Sequence, residues 1–416
     1  MGILLTQREG LIVGNIAKVL GFIMNAIFEL LSKVGIENIG LCIIIFTIVV
    51  YTLMLPMTVK QQKFTRLSTV MNPEIQALQK KYQGKQDQAS MMKMQEEQKL
   101  IYEKYGTSPT SGCLGSLIQL PILFALWPIV QNVPAYVKGL KEAYMPLVEG
   151  IMAQDGFKAV MEKIGAEKPI LISPDRFDYS QSNTIIDVLY KFQESSWDTL
   201  TSEFPSLSNL VAETKETMMG MNYLFGINIA ETPANMITSG IKTAAFGTVI
   251  IAVAIPLLAG ITQVLNMKVA QAKSNNDKNK NKANDNPMVQ QMDMMMKVMP
   301  LMSVFMCFSM PSGLGIYWIT SAVVRTIQQV AVNKALDKKS IDDLIKENQE
   351  KAAKKNSKKK EVEAKQLAAM AQTKTKRIED RNRSTNNNVD SYKKNAKPGS
   401  LASKSNMVSD FNNRNK

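Results

Sequence analysis

Charged residues thin out in five stretches of the chain, and these stretches predict its membrane spans. None lies between Glu37 and Lys60, between Lys104 and Lys138, or between Lys242 and Lys268. Each gap holds the roughly 20 residues that a helix needs to cross about 30 Å of hydrocarbon. The expected spans are 38–59, 112–133 and 241–265. Pro121 and Pro128 should kink the second, and Pro256 should break the third in its middle. Two more spans, 291–310 and 312–333, follow through the turn Pro311-Ser312-Gly313, with Asp293 and Lys297 at one end of the first. The fold class expected is an all-α polytopic membrane protein, a five-span helical bundle.

The stretch before the first span has a different pattern. Asn15, Lys18, Asn25, Glu29, Ser32 and Lys33 share roughly 100° of helical arc, and apolar residues fill the rest. This predicts an interfacial amphipathic helix within 1–37, lying in the headgroup plane on the outer side. A secretory signal is the rival reading, opposed by Lys18 and Glu29 inside the run and by the lack of an A-x-A site. A lipoprotein cysteine is not supported, since Leu41 precedes Cys42. The segment 60–109 reads as a helical hairpin. Asn72-Pro73-Glu74 has the form of a helix start, Gly84 and Gly106 punctuate the residues beyond it, and the turn falls near Gln83 to Asp87. Met91, Met92 and Met94 put soft side chains on its second arm. The segment 134–240, with a helical stretch near Ile185 to Phe192, is far longer than an ordinary loop. It shows no functional motif. A short loop, 266–290, links the third and fourth spans.

Charge sets the orientation. The chain carries +14, and the tail from Lys334 to Lys416 has 22 Lys/Arg against 11 Asp/Glu, so most of the basicity belongs to the tail. Beyond about Lys351 its Lys-, Asn- and Gln-rich composition predicts disorder. The connection from Lys60 to Lys104 holds 9 Lys/Arg and 5 Asp/Glu, whereas Lys138 to Glu231 holds 8 and 14. The positive-inside rule makes the hairpin, the 266–290 loop and the tail cytoplasmic, and 134–240 an acidic outer segment. The N-terminus is then outside and the C-terminus inside. There is no histidine, which removes imidazole bases and His-ligated metals. Cys42, Cys113 and Cys307 lie far apart in apolar runs and suggest neither a disulfide framework nor a metal site.

One charge does not fit its surroundings. Arg325 stands inside the last apolar run, where a cation costs at least about 2.5 kcal/mol even on lenient insertion scales. Trp318, Ser321, Arg325 and Gln328 fall on one side of a helix and make a polar stripe. Two placements stay open. Either the guanidinium faces a watery interior between spans, or it snorkels to the headgroups with its stem along lipid. Arg325 precedes Lys334 by nine residues and Tyr51 precedes Lys60 by nine, which puts both about 13 Å from the cytoplasmic edge.

Together these residues resemble the YidC/Oxa/Alb membrane protein insertases of the Gram-positive, five-span type. The resemblance rests on Leu55-Pro56, Asn72-Pro73-Glu74, Gly112-Cys113-Leu114, Gln119-Leu120-Pro121-Ile122, Asn222-Tyr223-Leu224-Phe225, Pro311-Ser312-Gly313-Leu314, Tyr317-Trp318 and Gln328-Gln329. It covers about residues 35–133 and 221–332. It implies a hydrophilic groove open to the cytoplasm and to lipid, beside a cytoplasmic helical hairpin. The residues expected to line it are Thr47, Tyr51, Ser116, Gln119, Trp318, Ser321 and Arg325. The family's groove arginine in the first span stands where this chain has Tyr51; of the two placements, the one facing the interior makes Arg325 the substitute cation. Gly115 replaces a proline common in the family.

The implied activity is membrane protein insertion and folding assistance with no catalytic residues, metal or cofactor, and no Walker A pattern is present. The implied partners are nascent membrane proteins, the lipid bilayer, the ribosome through the basic tail, and the Sec translocon. The implied location is the bacterial plasma membrane. A solute transporter or channel-like protein is the alternative, which solute uptake by vesicles would reveal. An intramembrane enzyme would need a base or ligand set that the spans lack.

Overall fold

A computed structural model describes residues 12–167, 177–271 and 300–354, apart from 86 and 109, together with 170, 298, 397–414 and isolated positions between; for 110–119 it describes the backbone alone. Two units are distinct, 1–344 and 345–416. The first unit is almost wholly helical.

Helix α1 (Val13–Ser32) buries Ala17, Leu20, Gly21, Met24, Ile27 and Phe28 along one stripe. A Cβ at Gly21 would fall 2.4 Å from the Tyr136 ring, so only glycine lets that ring lie against the helix. Part of the polar arc docks on protein. Asn25 donates to Glu29 at 2.7 Å and accepts from the Lys138 N–H at 2.8 Å. Expected at the membrane surface, α1 is also long and apolar enough to cross.

Asn38 caps α2 (Ile39–Leu53) through the Leu41 N–H, and its amide donates to the carbonyls of Gly220 and Tyr223. The expected first span, 38–59, is not one straight helix. It breaks at Met54 and bends by 58° into α3 (Leu55–Tyr82). Pro56 explains the break, because it offers no N–H to the Thr52 carbonyl and its ring crowds that carbonyl, yet it is tolerated in the first turn of α3.

The expected helix start at Asn72 is absent. α3 continues through Pro73, carried by a buried stripe of Leu67, Met71, Ile75 and Leu78 that spans the proline. Packing of that stripe outweighs one missing hydrogen bond. A turn with Gly84 at φ +83° leads to α4 (Gln88–Lys104), capped by Asp87. α4 buries no residue and is held to α3 at both ends. Lys81 and Tyr82 bind Glu97, and Lys104 and Tyr105 bind Glu74.

Next comes α5 (Thr110–Gln131), with Pro121 and Pro128 inside a continuous helix. The segment after it folds as α6 (Lys138–Met152), α7 (Phe157–Ala166), α8 (Ser182–Tyr190), α9 (Glu194–Glu203) and α10 (Ser208–Asn222). Its core of Tyr144, Leu147, Ile151, Ile185 and Leu189 is continuous with residues of α1, α2 and α5. A two-stranded ribbon, β1 (Tyr223–Leu224) and β2 (Ile227–Asn228), turns through Phe225 and Gly226.

The expected third span, 241–265, divides. α11 (Pro233–Lys242) ends in a turn with Ala244 at φ +57°, and α12 (Phe246–Gln271) starts after it. Pro256 does not break α12. Ala252, Ile255 and Ala259 on either side of it are buried, and α12 packs along the last long helix. The described part of the expected fourth span is α13 (Pro300–Ser309); residues 291–297 lie outside the described residues, as does most of the 266–290 loop.

The last long helix is α14 (Ser312–Leu336). Its first turn is fastened by Ser312, whose N–H and Oγ both donate to the Glu231 carbonyl at 2.8 Å, and by Gly313 N–H to Ile229 at 2.9 Å. A Cβ at Gly315 would lie 2.5 Å from Ile255 and 2.9 Å from the Cys307 sulfur, so glycine sets the close approach to α12 and α13. Cys42 and Cys307 are buried and reduced; the Cys113 side chain lies outside the described residues. In the second unit, where the composition predicts disorder, Ser400 caps a helix, α15 (Leu401–Arg414). Most of 355–396 lies outside the described residues.

Candidate substrate groove

α14 packs on α2, and Arg325 of its polar stripe meets Tyr51 there. The Arg325 guanidinium sits 5.7 Å from the centre of the Tyr51 ring. Its Nε donates to the Ser321 carbonyl at 3.2 Å. Tyr51 is buried and Arg325 half-buried. A cation over a tyrosine ring in a partly desolvated place gains about 0.5–2 kcal/mol, which offsets part of the cost of keeping the charge there. Among the described residues no carboxylate pairs with Arg325. The guanidinium therefore keeps donors available for an anionic group.

The other expected residues divide by what they can offer. Thr47 and Ser321 are fully buried, and their hydroxyls return to their own helices, Thr47 to the Ile43 carbonyl at 2.6 Å and Ser321 to the Trp318 carbonyl at 2.9 Å. They give the helices small, packed surfaces and present no donor. Trp318 is half-buried and touches apolar clusters on both sides of α14. The backbone of Ser116 and Gln119 belongs to α5, and their side chains lie outside the described residues. Gln328 continues the stripe, with a buried Oε1 that has no hydrogen-bond partner among the described residues.

Two residues escape sequence reasoning. Tyr317, buried at 2% exposure, brings its hydroxyl within 3.3 Å of the Tyr51 hydroxyl. Arg66 on α3 donates to the Asn333 carbonyl at 2.7 Å and to Asp337 at 2.6 Å, tying the base of the hairpin to the end of α14. Tyr317 has a signal, since it lies one turn before Ser321 and two before Arg325. Arg66 has none, being one cation among many in a charged helix. Among the described residues no cluster of His, Cys, Asp and Glu is suited to a metal ion.

Known proteins resemble the chain, and a family profile matches it across this region. The profile of the family described as 60Kd inner membrane protein matches residues 30–339. Membrane protein insertase YidC 1 of Halalkalibacterium halodurans is 42% identical over 93 residues, 22% of this chain and 36% of that protein. Membrane protein insertase MisCA of Bacillus subtilis is 31% identical over 138 residues, 31% of this chain and 52% of its own length. Inner membrane protein PPF-1 of Pisum sativum is 24% identical over 329 residues, 79% of this chain and 56% of that protein. The matches to these relatives thus span between about a third and just over half of their lengths. With the family profile covering about three quarters of its length, the chain belongs to the 60Kd inner membrane protein family, that of the YidC/Oxa/Alb proteins.

Proposed function

We propose that the chain is a membrane protein insertase and folding chaperone of the bacterial plasma membrane, with its N-terminus outside and its C-terminus in the cytoplasm. The observation that carries this reading is the half-buried Arg325, held over Tyr51 and without a carboxylate partner among the described residues. A hydrophilic segment of a nascent protein enters beside this cation, which shortens its path through hydrocarbon, and the adjoining apolar segment passes into lipid. Transfer of apolar side chains at about 25 cal/mol per Å² drives the step, aided by the membrane potential at about 2.3 kcal/mol per charge per 100 mV. No bond is made or broken, and no nucleotide is used.

The test is site-specific photo-crosslinking of a ribosome-stalled membrane protein. A photoreactive residue at position 318 or 328, on the stripe, is expected to capture the nascent segment. One at position 250, on the exposed face of α12, is expected to capture lipid and little protein. Equal capture at all three positions contradicts an entry path along the stripe.

The tail, 334–416, is read as a ribosome anchor, since a polycation binds RNA phosphates with strong salt dependence. Cosedimentation with ribosomes is expected to weaken as salt rises and to fall when the chain is cut at Lys338. Unchanged binding by the truncated chain counts against it.

A further inference from the structure

A second polar site, away from the Arg325 stripe, surrounds Glu231. Two cavities meet there. The larger, about 750 Å³, is bounded by α8–α10 on one side and by α11 and the start of α12 on the other. The smaller, about 220 Å³, shares Phe192, Gln193, Asn228, Glu231 and Asn235 with it and reaches Ser309 and Pro311. A cavity of the larger size falls within the range of small-ligand sites.

Its lining has three chemical parts. Tyr144, Tyr190, Phe192 and Trp197 supply aromatic surface, with the last two packed edge to face at 5.0 Å. Glu231 supplies a carboxylate that accepts from Gln193 at 2.9 Å. Asn222, only 4% exposed, supplies an Oδ1 that has no hydrogen-bond partner among the described residues. A carboxylate, an amide oxygen in need of a donor and aromatic faces are what an ammonium group requires. Two lysines line the cavity. Lys215 is paired with Glu194, and Lys242 stands exposed in the last turn of α11.

Apolar surface continues from this wall. The cavity lining runs along α11 and its turn to Ala245 and Thr248, and on the same stretch Ile241, Phe246 and Ile250 are 63–69% exposed. α12 is one of the helices long and apolar enough to cross a membrane. An acyl chain lying along Phe246 and Ile250 would place its headgroup at the cavity.

We propose that this cavity binds the headgroup of a zwitterionic phospholipid, its ammonium against Glu231 and Asn222, its phosphate toward Lys242 and its acyl chains along α12. α11 rises about 14 Å from Pro233 to Lys242, and Glu231 stands just before its cap; both side chains line the same cavity, and with an ammonium-to-phosphate span they bridge the gap. Burial pushes the Glu231 carboxyl up to about 7, and an ammonium in contact favours its ionised form. The site does not depend on the insertase reading.

The test is native mass spectrometry of the full-length protein in mild detergent, with phosphatidylethanolamine and phosphatidylglycerol in equal amounts. One phosphatidylethanolamine is expected to be retained in about tenfold preference, corresponding to about 1.4 kcal/mol. Glu231→Gln, which keeps an acceptor for Gln193, is expected to abolish the preference, and the exposed Lys242→Glu to weaken retention. Equal retention of the two lipids, or a preference that survives Glu231→Gln, overturns the site. Displacement by free phosphoethanolamine as effectively as by the lipid overturns the lipid assignment, as does displacement by a lysine-containing peptide.

Discussion

Arg325→Ala is expected to lower the insertion of substrates with acidic translocated segments by about tenfold, with little effect on substrates whose segments are neutral. Two unit charges about 5 Å apart at an effective dielectric of 20 attract by about 3 kcal/mol, and partial exposure of Arg325 reduces this toward the ~1.4 kcal/mol that a tenfold change requires. Arg325→Lys should keep most of the activity, losing the planar fork but not the charge. Because the guanidinium lies over the Tyr51 ring, a cation supplied from α2 reaches the same place. Tyr51→Arg in the Arg325→Ala background is therefore expected to restore insertion. The same variants separate the entry path from snorkelling. A folded and fully active Arg325→Ala protein means that the charge is an anchor.

Glu231→Gln is expected to stabilise the lipid-free protein at alkaline pH and to leave it unchanged in acid. The Glu231 carboxyl is pushed from an ordinary 4.5 up to about 7 by burial, so the folded state disfavours its charged form. Below about pH 4.5 the group is protonated in both states and burial costs nothing through this route. Between about 4.5 and 7 the unfolded chain releases the proton and the folded chain keeps it, so stability falls as pH rises. Above about 7 the full penalty is present, about 3 kcal/mol for a shift of this size. The neighbouring charges modulate the penalty without removing it. Lys191, itself pushed down by burial, lines the smaller cavity, and Glu194 lies across the larger one. Thermal unfolding in detergent at pH 5 and pH 8 checks this. A variant that gains nothing at pH 8 over pH 5 shows that the carboxylate is solvated or paired in the folded state.

The gaps in charge coincide with helices α2, α5 and α12, because removing a lysine or glutamate from water is costly and that cost is local in sequence; of these, α12 is by itself long and apolar enough to cross a membrane. The prolines were less legible. Pro56 coincides with a 58° bend, whereas α3 and α12 run through Pro73 and Pro256, because burial of Met71, Ile75, Ala252 and Ile255 from other helices outweighs a lost hydrogen bond. The turn between α11 and α12 left no trace, since Thr243-Ala244-Ala245 is neither charged nor rich in turn residues. At the site, Arg325 and Tyr51 are equally far in sequence from a flanking lysine and do meet, although the bend at Met54 removes the straight rise on which that expectation rested. The Tyr317 contact depends on how α14 is rotated against α2, and the burial of Glu231 on helices distant from it in sequence. Both are properties of packing that no local pattern carries.

The most direct measurement is insertion into vesicles that contain only the purified chain and phospholipid. A small membrane protein with an acidic translocated segment is added without nucleotide, with and without an imposed potential, and protease-protected fragments are counted. Protection well above that in protein-free vesicles, raised by a potential that is positive on the protected side and lowered by Arg325→Ala, is the result predicted. Protection equal to that of protein-free vesicles contradicts the assignment of the chain as an insertase.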